Sequence, residues 1–386
     1  MGWSYRIATI RGIDLKVHVT FAVLVLIVAS NWASLGPVGV AFGAGLIVLL
    51  FACVTLHEFG HAIAAQHYGI PVKEIVLLPI GGIAFLGRAA RDPMQELVIA
   101  SAGPAVNVAI IALLAPVLYV LGEPLSAAPA LLRPGGATPS LTEALHWLLG
   151  ANISLVLFNL IPAFPLDGGR ILRGLLGLRM EWSRATAWST SIGQGLAMAM
   201  GAWGFMQGNL MLGIIAAMVF FAAAATNAEE QGQTVLATQQ VGDACNRHAI
   251  VLSESDRVST VIRYLLTSYQ PDFAVMRGPR LLGVVRRSQV LAALAQRGGD
   301  VPVTAIMAAP TAISADQSLA ETRQLLTESP SSVAAVFADS RFVGLVSAED
   351  IAEAQAVLSF ARPSLPTRPK WSAPSGAEGA EVVART

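Results

Sequence analysis

Charged side chains are scarce in this chain. Asp, Glu, Lys and Arg make up 13% of its 386 residues and hydrophobic residues 54%, whereas an ordinary soluble protein carries about 25% charged residues. With a positive mean hydropathy, that shortage excludes a typical water-soluble enzyme and describes a membrane protein. Neither sign of charge is in excess, since 25 basic residues face 25 acidic ones, so nothing points to nucleic acid as a partner. Cysteine is nearly absent. Cys53 and Cys245 lie in segments of different character, which excludes a disulfide framework, and no C-x-x-C pair offers a structural zinc site. A small-residue cleavage site is missing after Arg6, Arg11 and Lys16, so the first apolar run is expected as an uncleaved span rather than a signal peptide.

Long apolar runs, by contrast, are abundant. A span needs about 20 apolar residues, and the candidates are 17–35, 39–67, 95–121, 144–164, 186–206 and 209–227. Ser189, Thr190 and Gln194 dilute the fifth. Arg6, Arg11 and Lys16 precede the first span, Lys73, Arg88 and Arg91 follow the second, and Arg170, Arg173, Arg179 and Arg184 follow the fourth; the opposite connections hold only Arg133. The positive-inside rule then predicts a multi-pass protein of the cell's inner (plasma) membrane with both termini in the cytoplasm.

Within the second run stands His57-Glu58-Phe59-Gly60-His61. Polar and ionisable groups at membrane depth are costly and need a reason. On a helix the two imidazoles leave one face a turn apart, the H-E-x-x-H geometry in which two nitrogens bind zinc and the Glu acts on its water. The plainer alternative is a pair of packing histidines. Cys53, one turn earlier, either approaches such an ion or simply fills space.

The second and fourth spans both run inward, so a third ligand is expected near the inner end of another span. Asn159-Leu-Ile-Pro162-Ala-Phe-Pro165-Leu166-Asp167-Gly168-Gly169-Arg170 supplies one. Asp167 follows an apolar helix broken by Pro162 and Pro165, and it completes a His₂-carboxylate set with one open position. Alternatively Asp167 only starts a polar turn.

Together His57-Glu58-x-x-His61, Gly103-Pro104-x-x-Asn107 and Asn159 through Leu166-Asp167-Gly168 resemble the site-2 protease family of intramembrane zinc metalloproteases, over about residues 1–228. The resemblance implies a six-helix form with one Zn²⁺ per chain, held by His57, His61 and Asp167 toward the cytosol. It implies Glu58 as general base and a site role for Asn159 as oxyanion or positioning donor, helix packing being the alternative. A transmembrane protein already trimmed by another protease is the implied substrate. Residues 74–87 suggest a β-hairpin about Gly81-Gly82. In such a family it re-enters the bilayer and offers an edge to an unwound substrate; otherwise it is an apolar loop. Asn107 packs or hydrogen-bonds across helices.

After Asn227 the composition turns polar. A linker at 229–240 is followed by an internal repeat, 241–300 and 301–361, in which Gly283-Val-Val corresponds to Gly344-Leu-Val. The repeats resemble a tandem CBS (cystathionine β-synthase-type) pair. The resemblance implies an adenine nucleotide as ligand, with Ser347 and Asp350 as ribose contacts, and homodimerisation through the pair. The first repeat departs from the pattern, with Arg286 and Gln289 instead. Residues 362–386 are expected to be disordered.

The fold class expected is thus a polytopic α-helical membrane protein, about six transmembrane helices with one re-entrant β-hairpin, followed by a soluble α/β tandem CBS module. Its partners are the lipid bilayer and a membrane-spanning substrate. A CBS-regulated ion transporter or channel, its path lined by intramembrane His and Asp, is the rival reading.

Overall fold

A β-hairpin precedes the first apolar helix, where only a charged flank was expected. In the computed structural model, β1 (Ser4–Ile10) and β2 (Ile13–His18) pair antiparallel. Arg11 and Gly12 join them with φ of 51° and 78°, the two positive values that a tight mirror-image hairpin turn requires. The structure describes residues 3–360 apart from 80, 88–89, 91, 124–138, 269 and 330. Arg88, Arg91, Arg133 and the expected tail at 362–386 lie outside the described residues.

Helix α1 (Thr20–Ala29) and a 3₁₀ turn (Ser30–Leu35) lead into α2 (Gly36–His67). The hairpin expected at 74–87 is present as β3 (Val72–Leu78) and β4 (Gly81–Leu86), paired antiparallel. Because β2 pairs parallel with β3, the two hairpins form one sheet in the order β1-β2-β3-β4. Ile13, Leu15, Ile75 and Leu77 on its inner face share a core with Phe59, Ala62 and Ala65 of α2. Burial of that face holds the sheet along the stretch of α2 that carries the histidine motif.

Helix α3 (Pro93–Val120) opens on Asp92, whose side chain accepts from the Gln95 N–H at 2.8 Å, with Pro93 in the first turn; α4 (Leu141–Asn159) opens on Ser140, which accepts from Glu143 N–H at 3.2 Å. Both are N-caps of the usual kind. After α4 the chain turns irregularly through Pro162 and Pro165 into α5 (Asp167–Gly177), followed by α6 (Trp182–Met206) and α7 (Leu210–Thr238). Among the described residues, four stretches are long and apolar enough to cross a membrane: Thr20–His67, Pro93–Val120, Leu141–Asn159 and Leu210–Thr238. Helix α6 is less apolar: it carries Thr186, Ser189, Thr190 and Gln194, the first three of them buried. Their hydroxyls donate to carbonyls of the same helix at 2.8–3.0 Å, a local satisfaction that lets polar residues sit in an apolar setting.

Arg170 and Arg173, expected only as charges of a cytoplasmic connection, turn inward. Glu96 of α3 is 1% exposed and accepts from Arg170 Nε at 3.1 Å and Arg173 Nη2 at 2.6 Å. The Arg173 guanidinium also lies over the rings of Phe164 and Trp182, at 5.0 and 4.7 Å. This arrangement ties the start of α5 to the first turn of α3.

The chain divides into two units at Ala228/Glu229. Residues 229–238, expected as linker, are the helical end of α7. In the second unit α8 (Val241–Ala244) is followed by β5 (Val251–Ser253), α9 (Val258–Thr267), β6 (Asp272–Arg277), β7 (Arg280–Arg286) and α10 (Arg287–Arg297). The same order returns as β8 (Thr311–Ser314), α11 (Leu319–Glu328), β9 (Val333–Ala338), β10 (Arg341–Ser347) and α12 (Ala348–Phe360). In each repeat the first strand is parallel, and the third antiparallel, to the second. The repeats brace one another across the expected boundary at 300/301. Asn246, before β5, bridges to Leu345 of the second repeat, and Ala308, before β8, bridges to Val284 of the first. Val301, Val303 and Met307 accordingly pack in the first repeat's core, and Val241 and Cys245 in the second's.

Removing one charge from a buried ion pair leaves its partner uncompensated. Glu96→Gln is therefore expected to destabilise the protein by about 3 kcal/mol, read as a lower unfolding temperature in detergent.

Candidate metal centre

Asp167 is the first residue of α5, and the fold brings it to the two histidines of α2. The His57 and His61 Nε2 atoms are 3.1 Å apart, and Asp167 Oδ2 lies 3.2 Å from the first and 3.3 Å from the second. All three residues are buried, and among the described residues they form the one such group of His, Cys, Asp or Glu ligand atoms.

Neither histidine faces this point by chance. His61 Nδ1 meets the Ile99 backbone carbonyl at 2.7 Å. A carbonyl only accepts, so Nδ1 carries the proton and the Nε2 lone pair points inward. His57 Nδ1 meets Asn107 Oδ1 at 2.5 Å. Asp167 Oδ2 is buried with no hydrogen-bond partner. Three acceptors thus converge without a donor among them. Zinc bonds of about 2.0–2.1 Å in a tetrahedron separate the ligand atoms by about 3.3 Å, and the observed spacings fit. The residues present suit a zinc ion with one position left open.

Room for the ion depends on Gly103. A Cβ at that position would stand 2.2 Å from His61 Nε2 and 2.7 Å from His57 Nε2, so the glycine of Gly103-Pro104-x-x-Asn107 keeps the metal-facing side of both rings clear. Glu58, beside the first histidine, is half-buried and lies against the hairpin: a Cβ at Gly82 of β4 would come 2.5 Å from its Cγ. Asn159 ends α4 half-buried, and its side chain makes no hydrogen bond within the described residues. Cys53 meets Asn152 at 3.5 Å and stands outside the donor set. So do His18, bonded to Thr20, and His146, bonded to the Thr142 carbonyl. Asn152 and Glu96 were not read from the sequence as part of this region; each is a polar residue in an apolar helix, the one signal that could have flagged them.

The sequence pattern of peptidase family M50 matches residues 45–202. A zinc metalloprotease of Methanocaldococcus jannaschii is 28% identical over 365 residues, 93% of this chain and 98% of that protein. Rip3 of Mycobacterium tuberculosis is 30% identical over 337 residues, 83% of this chain and 82% of its own length. The chain belongs to the M50, or site-2 protease, family. It is a zinc metalloendopeptidase. The solved site-2 protease from Methanocaldococcus jannaschii aligns over 95% of its length and 58% of this M50 chain, at 34% identity and a TM-score of 0.41.

In the second unit the CBS domain pattern matches residues 303–357 of this M50 peptidase. Here Ser347 and Asp350 engage one another. Asp350 Oδ2 accepts from the Ser347 N–H at 2.7 Å and its hydroxyl at 2.8 Å, and the Asp350 N–H donates to Ser347 Oγ at 3.0 Å. The pair caps the start of α12, as Gln289 caps α10 by accepting from Arg286 N–H at 2.8 Å. Asp272 of β6 stands near this corner. Burial and the carboxylates of Asp350 and Glu349 push it from its ordinary 3.8 up to about 6, against the pull of Arg286.

Two outcomes follow. Gly103→Ala is expected to weaken zinc retention ~100-fold, checked by metal content after dialysis against a chelator. The folded state holds the Asp272 proton more tightly than the unfolded chain does. The second unit therefore loses stability as pH rises from about 4 to 6. Asp272→Asn should raise its stability at pH 7 by about 1 kcal/mol after allowance for solvent screening, and the gain should vanish below about pH 4, as read from melting curves across that range.

Proposed function

We propose that this metalloprotease cuts transmembrane segments of membrane proteins, within the bilayer and near its cytosolic side. The observation that carries the reading is the convergence of His57, His61 and Asp167, from an apolar helix and the turn after another, on one point with Glu58 adjacent in the chain. His57, His61 and Asp167 would hold the zinc, which when bound supplies a Lewis acid that acidifies water and polarises a carbonyl. Glu58 takes the proton of the attacking water and returns it to the leaving amine. Asn159, whose amide has no hydrogen-bond partner among the described residues, donates to the carbonyl oxygen.

A helical substrate shields its amides and has to unwind before attack, and unpaired backbone groups are costly in lipid. Strand β4 is an edge of its sheet, and its Gly82 rests on Glu58. An unwound substrate strand added to that edge regains its hydrogen bonds beside the general base. In this reading the hairpin dips into the membrane. The chain crosses six times, α6 included, with both termini in the cytoplasm of a cell whose plasma membrane holds it.

The CBS pair modulates the activity and offers a surface for homodimerisation. A groove of about 370 Å³ beside Ser347–Asp350 is lined by Gln239, Gln240, Asp243, Asp350 and Glu353. In this reading it takes an adenine nucleotide by its ribose and base, for the carboxylates oppose phosphate.

The deciding experiment is cleavage of a transmembrane reporter in detergent by wild type and Glu58→Gln at equal zinc content. The variant is expected to lose at least ~100-fold in rate; cleavage at the wild-type rate would overturn the assignment.

A further inference from the structure

We propose that Asn107 and Asn152 are positioning residues that set the tautomer of His57 from a fixed point on α4, the Leu148 backbone carbonyl. Both asparagines are fully buried, one on α3 and one on α4, among apolar neighbours where an amide is costly unless it is satisfied. Asn152 Nδ2 lies 2.8 Å from Leu148 O, Asn107 Nδ2 lies 2.9 Å from Asn152 Oδ1, and Asn107 Oδ1 faces His57 Nδ1.

The direction of this chain is forced from its far end. Leu148 O can only accept, so Asn152 must turn its NH₂ toward it and its oxygen toward Asn107. Asn107 then spends its NH₂ on Asn152 and has only its oxygen left for His57. His57 Nδ1 must therefore carry the ring proton, and the Nε2 lone pair is aimed at Asp167 and His61. Had Asn107 the opposite orientation, its NH₂ would claim the Nδ1 lone pair. The proton would then sit on Nε2 and block ligation. His61 reaches the same state by a shorter route, through Ile99 O. Each ring thus takes its tautomer from a main-chain carbonyl, His61 directly and His57 through two amides that cross from α2 to α4.

The inference rests on the reading of His57 as a zinc ligand, and its test separates the two. A packing role predicts that Leu, larger than Asn but branched at Cγ in the same way and better suited to lipid-like surroundings, costs less zinc retention at either position than Asp does. The relay predicts the reverse. Asn107→Leu and Asn152→Leu should each weaken zinc retention against a chelator by about 10–100-fold, and Asn107→Asp, which restores an acceptor to His57, should recover most of that loss. In parallel, ¹⁵N-histidine spectra of the metal-free full chain in detergent should show His57 and His61 with the proton on Nδ1, and Asn152→Leu should turn His57 alone into a mixture. Wild-type zinc retention in both Leu variants, or a His57 Nδ1 without its proton in the wild type, would overturn the proposal. The wild-type spectrum decides even if a variant fails to fold. If His57 carries its proton on Nδ1 while His57→Ala retains zinc normally, the relay stands and the ligand assignment falls.

Discussion

Three lone-pair-bearing atoms held within about 3 Å of one another, in a setting with little water to separate them, repel. The cost of that arrangement is the constraint around which the membrane unit is built. Left to themselves the imidazoles would rotate and the carboxylate would seek a donor. The rings are prevented from doing so by acceptors behind them, Ile99 O for His61 and Asn107 for His57. The carboxylate is prevented because it starts a helix whose next turn is clamped through Arg170 and Arg173 to Glu96. A cation at the centre relieves all three at once, which is why a donor set of this kind fits zinc.

The same unit packs a sheet against the helix that carries the histidines. The four-stranded sheet is assembled from two hairpins distant in sequence, and its inner face is buried against α2. That packing sets β4 against Glu58 with only a glycine between strand and side chain. An edge strand is usually a hazard. Here the edge strand lies against Glu58, where the proposed function puts an unwound substrate.

The second unit obeys a different logic. Its two repeats exchange the segments that precede their first strands, so each core is closed partly by the other's residues. Ser347 and Asp350, which by resemblance would meet a ribose, are already satisfied by one another at a helix start. Any ligand there competes with a cap, and meets the carboxylates of Asp272, Glu349 and Asp350. Inside a bilayer such a corner would be costly.

Much of this was legible beforehand. His57, Glu58 and His61 announced themselves because ionisable residues are improbable in apolar helices, Asp167 because it follows a proline-broken apolar helix at the inner end of another span, and the hairpin at 74–87 because β-prone runs flank a glycine pair. The N-terminal hairpin was obscured by its position at the foot of an apolar run, though its Arg11-Gly12 turn and alternating Ile13, Leu15 and Val17 carried the signal. What the sequence by itself determined was which side chains are costly where they stand and therefore need partners. Which partners they find was decided only by the tertiary structure: Arg170 and Arg173 with Glu96, Asn107 with Asn152, Gly82 with Glu58. Hydrogen bonds and ion pairs between helices depend on rotation and depth, and these are set by the packing of whole faces rather than by any local pattern of residues.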